Sequence, residues 1–457
     1  MVFLKPILDA LNFENDWCQG AMIHVKNDHA MSSDVFAVTS LASSSVAAAG
    51  LALTHYAFGG QYQRQISVDQ HLAYRWFSSS ARPQGWALSS PWDDIAGDYQ
   101  TSDGFIRLHT NALHHRQVVT NILGDLDRAG IAEKVANLKA DELETMIVEN
   151  GGAAARMMNF EEWATHPQGM ALSEEPLIAW RHFAGGKLEH KPHPARPLDG
   201  LKVLDLTRII AGPVATRFLA QYGANVLRID PKGWDEGEHI IDMIPGKSCA
   251  TLDLKVPEDL AHLKTLISQA DVLIHGYRAD ALERLGLDGP SLRALNPSLI
   301  DIAHNAYGWS GPWRNRRGFD SLVQMSTGIA DWGMHVAYGE RPQISQKPRP
   351  MSVQALDHAT GYLIAASALR GLSHLRDYGE ASSARLSLAR TAEFLKTTAQ
   401  DQFSADPVAE SLDDISPDIE NTPLGPIRRL KSPLHIDEIK PFWSKPAGLL
   451  HQSRAEF

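Results

Sequence analysis

From residue 201 onward, short apolar runs alternate with helical stretches. KVLDL reads as a buried strand, TRIIAGPVATRFLAQYG as a loop entering a helix, and ANVLRID as a second strand ending at Asp230. CATLDL, DVLIHGY and LIDIAHN add three strands, and residues 257–268 and 279–286 add helices. Strand and helix in strict alternation predict an α/β fold with a doubly wound, mostly parallel sheet. LDHATGYLIAASALRGL (356–372) then reads as a helix that is apolar on every face, so it and its front end are expected to be buried. One more strand–helix pair, ARLSLARTAEFL, precedes a Pro- and Asp-rich tail containing LGPIRRLKSPLHI, expected to wrap the surface.

The first half is patterned differently. Residues 35–55 form a small-residue helix, and a Gly-rich turn, short strand and helix follow. GDYQTSDGFIRLHTN (97–111) alternates like a hairpin around Ser102-Asp103-Gly104. From 112 to 180 the signals are helical, with Asn159 and Glu162 spaced as a capping box. GGKLEHKPHPARPLDG (185–200) lacks periodicity and marks a boundary. A repeat links the halves. TSLASSSVAAAGLAL (39–53) aligns with LDHATGYLIAASALR (356–370), placing Ser40 opposite Asp357, and both are followed by similar strand–helix text.

Composition narrows the class. The net charge of −11 supplies no basic surplus for phosphate backbones or anionic lipid, so neither nucleic acid nor membrane is an expected partner. Two cysteines, Cys18 and Cys249, make no disulfide framework. The first residues lack a signal-peptide layout, and a cytoplasmic location is expected. His109, His114 and His115 match no ligand spacing, so no metal is expected. The loop before Gly212 and Pro213 is not GxGxxG, although the helix it opens can face a phosphate. No GxSxG elbow is present. Asp357 at the front of its helix reads first as an N-cap, and a dry carboxylate there can also be a nucleophile.

The assembled text of the second half resembles the family III CoA-transferases (CaiB/BaiF-type), which include formyl-CoA and carnitine CoA-transferases and the relative alpha-methylacyl-CoA racemase. PLDGLKVLDLTRIIAGPVATRFLAQYGANVLRID, GKSCATLDLK, ADVLIHGYRADALERLGL and LNPSLIDIAHNAYGWSGPWRNRRGFDSLVQMSTGI carry the likeness over about residues 197–372. The resemblance implies a Rossmann-like CoA-binding domain and a smaller α+β domain. It makes Asp357, four residues before Gly361, the catalytic nucleophile, with coenzyme A arriving as acyl-CoA. It implies CoA contacts at Ile209, Ile210, Ala211, Lys247, Arg284 and Tyr307, a carboxylic acid acceptor and a homodimer, while Asp230 stands where a nucleotide-binding fold places a ribose-binding acid, and no metal is expected.

Departures are visible. Pro231 stands where the family often has a basic residue, and Gly276-Tyr277 replaces Asn-Phe. Gly318-Phe319-Asp320 lacks the histidine of the racemase Gly-His-Asp, which ranks transfer above racemisation. No glycine-rich lid is visible beyond RPQGW (82–86). The first half resembles the later part of the family, so the order is rearranged, as in a tandem fusion. The expected division is 1–190, small-domain-like with a degenerate helix copy; 196–375, the CoA-binding domain; and 376–457, a strand–helix pair and extended tail. The expected activity is CoA transfer through aspartyl intermediates. Another acyl-CoA reaction and a CoA-binding pseudoenzyme stand as alternatives.

Overall fold

A computed structural model describes residues 1–13, 22–27, 34–59, 65–339, 346–403 and 409–457. Cys18 and most of the Gly-rich turn after residue 59 lie outside them. Its centre is a seven-stranded sheet. The order is Lys247–Thr251, Asn225–Asp230, Lys202–Leu206, Val272–His275, Ile300–Asn305, Glu380–Ser387 and Ala179–Ala184. All neighbours run parallel except the last pair. The chain therefore reverses direction across the sheet at Lys202–Leu206, which creates a crevice beyond the carboxyl ends of that strand and of Val272–His275.

Alternation along the strands sorts the core. Val203, Val226, Val272 and Ile274 face helices Ala211–Gln221 and Ala355–Tyr378. Leu204, Leu227, Ile229 and Leu273 face helices Pro257–Gln269 and Gly289–Leu295. The expected helix at 279–286 is only a short 3-10 turn, Glu283–Leu285, stopped by Gly286 in the left-handed region (φ 68°). Helix Val38–Phe58 packs on Ala355–Tyr378 as a further layer. Both are buried almost throughout, which explains why neither shows a polar face.

The hairpin Gly97–Gln100/Phe105–Leu108 forms as its alternation predicts and gains a third strand, Ala154–Arg156. Helices Leu113–Leu123, Arg128–Val135 and Ala140–Glu149 cover it around Ile106, Leu108, Val119 and Ile147. Asn159 and Glu162 close the capping box. This is the smaller α+β unit.

The halves exchange strands. Ala179–Ala184, from the first half, completes the edge of the large sheet. In return the tail does more than wrap the surface: Leu434–Ile436 pairs with Gln65–Asp69, and Gly425–Arg429 pairs with Ala81–Pro83. Hydrogen-bonded sheets thus cross the expected divisions near 190 and 375. RPQGW is part of this exchange, with the Trp86 indole N–H donating to the Pro426 carbonyl (2.9 Å). Among the described residues no helix is long and apolar enough to cross a membrane.

Candidate active site

Asp357 lies in the first turn of helix Ala355–Tyr378, 8 % exposed. It does not cap the helix. The N-cap position is Gln354, and no side chain of the segment bonds the first-turn amides. The cap comes from elsewhere in the chain: Asp320, at the start of helix Asp320–Ser326, accepts the Asp357 amide N–H through Oδ2 (2.9 Å). Asp320 also accepts from the Leu356 amide and from Gln324 Nε2. Gln324 in turn takes the Met351 amide at 2.8 Å, which fixes the approach to the helix.

Two buried carboxyls thus share the helix front, and they are not equivalent. Asp320 is raised to about 6, burial outweighing its hydrogen bonds and the Arg107 guanidinium. Asp357 is pushed well above the ordinary carboxylate range, by burial first and by the Asp320 charge second. Three donors favour charge on Asp320, whereas Asp357 has burial and a neighbouring charge against its ionised form. The amides at the positive end of that helix are taken by Asp320.

The loop before helix Ala211–Gln221 meets this front. Gly361 has no room for a side chain, since a Cβ would sit 2.5 Å from the Ala211 carbonyl oxygen. That close approach brings Ile209, Ile210 and Ala211 beside the first turn. Ile209 is in the left-handed region (φ 67°), a strained conformation for a β-branched residue. Its amide donates to Glu236 Oε1 (2.8 Å), whose carboxylate is anchored by the buried Arg228 (2.7 Å).

The other expected binding residues are dispersed. Asp230 is buried against Arg228 by two bonds of 2.8 and 3.0 Å, so its carboxylate is committed within the protein. The Lys247 ammonium has all three donors engaged, by Asp205 (3.1 Å), the Pro213 carbonyl (3.0 Å) and Thr216 (2.6 Å). It ties strand to helix rather than facing the crevice. Tyr307 is buried, its hydroxyl 3.2 Å from Ser326. Arg284 is exposed and paired with Asp280. His358 is buried, stacked on Phe77 and lowered to about 3 by burial.

Two groups were not anticipated. Asp320 is one. Arg208 is the other, at the sheet's crevice, where it lies over Trp234 and Tyr277 with Asp230 at 3.6 Å. Its place directly after the strand–loop junction was the available signal. The smaller unit also reaches the site. His109 stacks on Phe319 at 3.7 Å, next to Asp320, while Ala153 and Ala155 pack against Leu322 and Met325. His109 is lowered to about 3 by burial and lies in this aromatic contact.

The site thus sets an acidic pair at one helix front, with a strained loop beside it, on a doubly wound α/β sheet. Residues 198–422 match the model of CoA-transferase family III. The chain is 31% identical over 210 residues to the "Probable fatty acyl-CoA transferase Rv3272" of Mycobacterium tuberculosis, covering 43% of this chain and 51% of that protein. It is 30% identical over 266 residues to an "Acyl-CoA transferase" of Gibberella moniliformis, covering 54% and 45%. It is 35% identical over 157 residues to a "Succinate--glutarate CoA-transferase" of Agrobacterium fabrum, covering 30% and 39%. A crystal structure of the mycobacterial protein is similar with a TM-score of 0.40 at 30% identity, covering 45% of this chain and 59% of that one. The chain thus spans about half the length of the curated relatives it matches.

Proposed function

We propose that the protein transfers CoA from an acyl-CoA to a carboxylic acid through covalent intermediates on Asp357. The observation that carries this reading is a buried carboxyl without a side-chain hydrogen bond, set against the strained 209–211 loop inside the family-matching region. Once deprotonated, such a group is a stronger nucleophile than a hydrated carboxylate. An Asp357 oxygen attacks the thioester carbonyl and CoA leaves as the thiolate, giving a mixed anhydride. The thiolate then attacks the aspartyl carbonyl and expels the donor acid, leaving an aspartyl-CoA thioester. The acceptor carboxylate attacks that carbonyl and releases the thiolate. Thiolate attack on the acceptor acyl group of the new anhydride finally forms the product and frees Asp357.

In this reading Ile209, Ile210 and Ala211 line the CoA path, and Arg208 and the exposed Arg284 meet its phosphates. Asp230 and Lys247 hold the scaffold. The first-half unit around His109 covers the acyl side within one chain. The test is to incubate the protein with a panel of acyl-CoA thioesters, trap with hydroxylamine and map the adduct by mass spectrometry. A CoA-dependent adduct at Asp357, lost in Asp357→Asn, is expected. Turnover with no adduct at that residue overturns the mechanism, and an adduct-free protein that binds CoA favours the pseudoenzyme.

A further inference from the structure

The far end of the Asp357 helix carries a second cluster, about 25 Å away along the axis at 1.5 Å per residue. His374 lies in the last turns of that helix, Glu380 opens the following strand, and His182 sits on the antiparallel edge strand. Gly379, left-handed at φ 69°, turns the chain sharply enough to bring His374 and Glu380 together. His374 Nε2 and Glu380 Oε2 are 3.0 Å apart, and the two imidazoles are 4.1 Å apart, centre to centre. One ligand atom from each of the three residues falls within 4.8 Å of the others.

The register explains the convergence. His182 is paired directly with Ser382, and Glu380 is two residues earlier on the same face of that strand. His182 Nδ1 lies 3.0 Å from the buried Ser382 hydroxyl. With Nδ1–H donating there, Nε2 carries the lone pair, the orientation that a second hydrogen bond imposes on metal-ligating histidines. The cluster borders a cavity of about 350 Å³, lined by His182, His374, Ser382 and Asp377 among others.

We propose that His182, His374 and Glu380 form a binding site for a late first-row divalent cation, Zn²⁺ foremost. Two imidazoles and one carboxylate are a zinc donor set, and three protein ligands leave a coordination position open toward the cavity. Nearly tetrahedral coordination at about 2.0–2.2 Å needs donor separations of roughly 3.4 Å, which small side-chain rotations supply. A bound ion would pin the edge strand contributed by the first half to the helix of the second.

The experiment is calorimetric titration of the untagged, chelator-stripped full chain with ZnCl₂. One equivalent is expected, weakened about a hundredfold or more in His182→Ala/His374→Ala. Zinc-edge anomalous scattering from crystals of the unaltered chain gives a readout independent of how the variant folds. A peak among the three side chains supports the site. No saturable binding, equal affinity in a variant with wild-type circular dichroism, or a peak elsewhere overturns it.

Discussion

Helices Val38–Phe58 and Ala355–Tyr378 begin in the same way and end with different duties. Each N-cap has nearly the same backbone, Ala37 at φ −76°, ψ 54° and Gln354 at φ −78°, ψ 64°. In each, the first helical amide bonds the carbonyl two residues back at 2.8 Å, Val38 to Phe36 and Ala355 to Val353. Each helix is followed by a strand whose last residue caps the next helix, Asp69 in one copy and Ser387 in the other. The copies part at one position. Ser40 accepts the Val2 amide at 2.9 Å and is satisfied. Asp357 faces a second carboxyl, Asp320, and gains no such partner. One scaffold thus carries a settled residue and a frustrated one, and the frustrated one is the candidate for chemistry.

The comparison breaks most sharply on turnover. Asp357→Asn is expected to lower the CoA-transfer rate by at least about ten-thousandfold, while Ser40→Ala stays within about twofold, read in parallel steady-state assays. A comparable loss in both variants would show that the helix front matters only as structure.

Packing separates the copies next. Gly361→Ala pushes a methyl group into the Ala211 backbone, whereas Gly50→Ala meets only the Leu434 side chain at 2.7 Å. Backbone cannot step aside as a leucine rotamer can. Gly361→Ala is expected to cost about 1–3 kcal/mol and Gly50→Ala less, checked by chemical denaturation.

Titration sharpens the contrast least in size but most in cause. Asp320 and Asp357 bind protons more tightly folded than unfolded. Their contribution to stability is fully present below the ordinary Asp pKa, near 4, and is lost as pH rises through about 6 and beyond. Asp357→Asn therefore flattens the stability-against-pH curve from about 4 upward, followed by thermal melts. Asp320→Asn removes the opposing charge, lets Asp357 ionise more readily and moves the acid limb of the rate profile to lower pH. An unmoved limb would detach Asp320 from the nucleophile.

Much of this was legible in the residues. The parallel strands are buried on both faces and read as short apolar runs, and the helix repeat survives in spacing. Ala179–Ala184 was not legible, because AWRHFA is half-exposed at an edge and lacks clean alternation. Asp320 could not be seen as a cap, since its partner amide is 37 residues away in sequence and is near only after folding. Lys247 shows the limit of residue type. A lysine in a segment that resembles the family's suggests phosphate, yet only the surrounding Asp205, Pro213 and Thr216 reveal that its donors are spent.

The strand exchange imposes a delay during synthesis. Gln65–Asp69 emerges with Ile66 and Val68 along an open edge, and its partner Leu434–Ile436 follows roughly 370 residues later. At about 5–20 residues per second, that edge waits on the order of 20–70 s on the ribosome. An open strand edge is a template for mispairing with neighbouring nascent chains. The contact that knits the finished molecule is therefore one that exposes it to aggregation while it is being made, and fast translation or holdase chaperones at hand suit this topology.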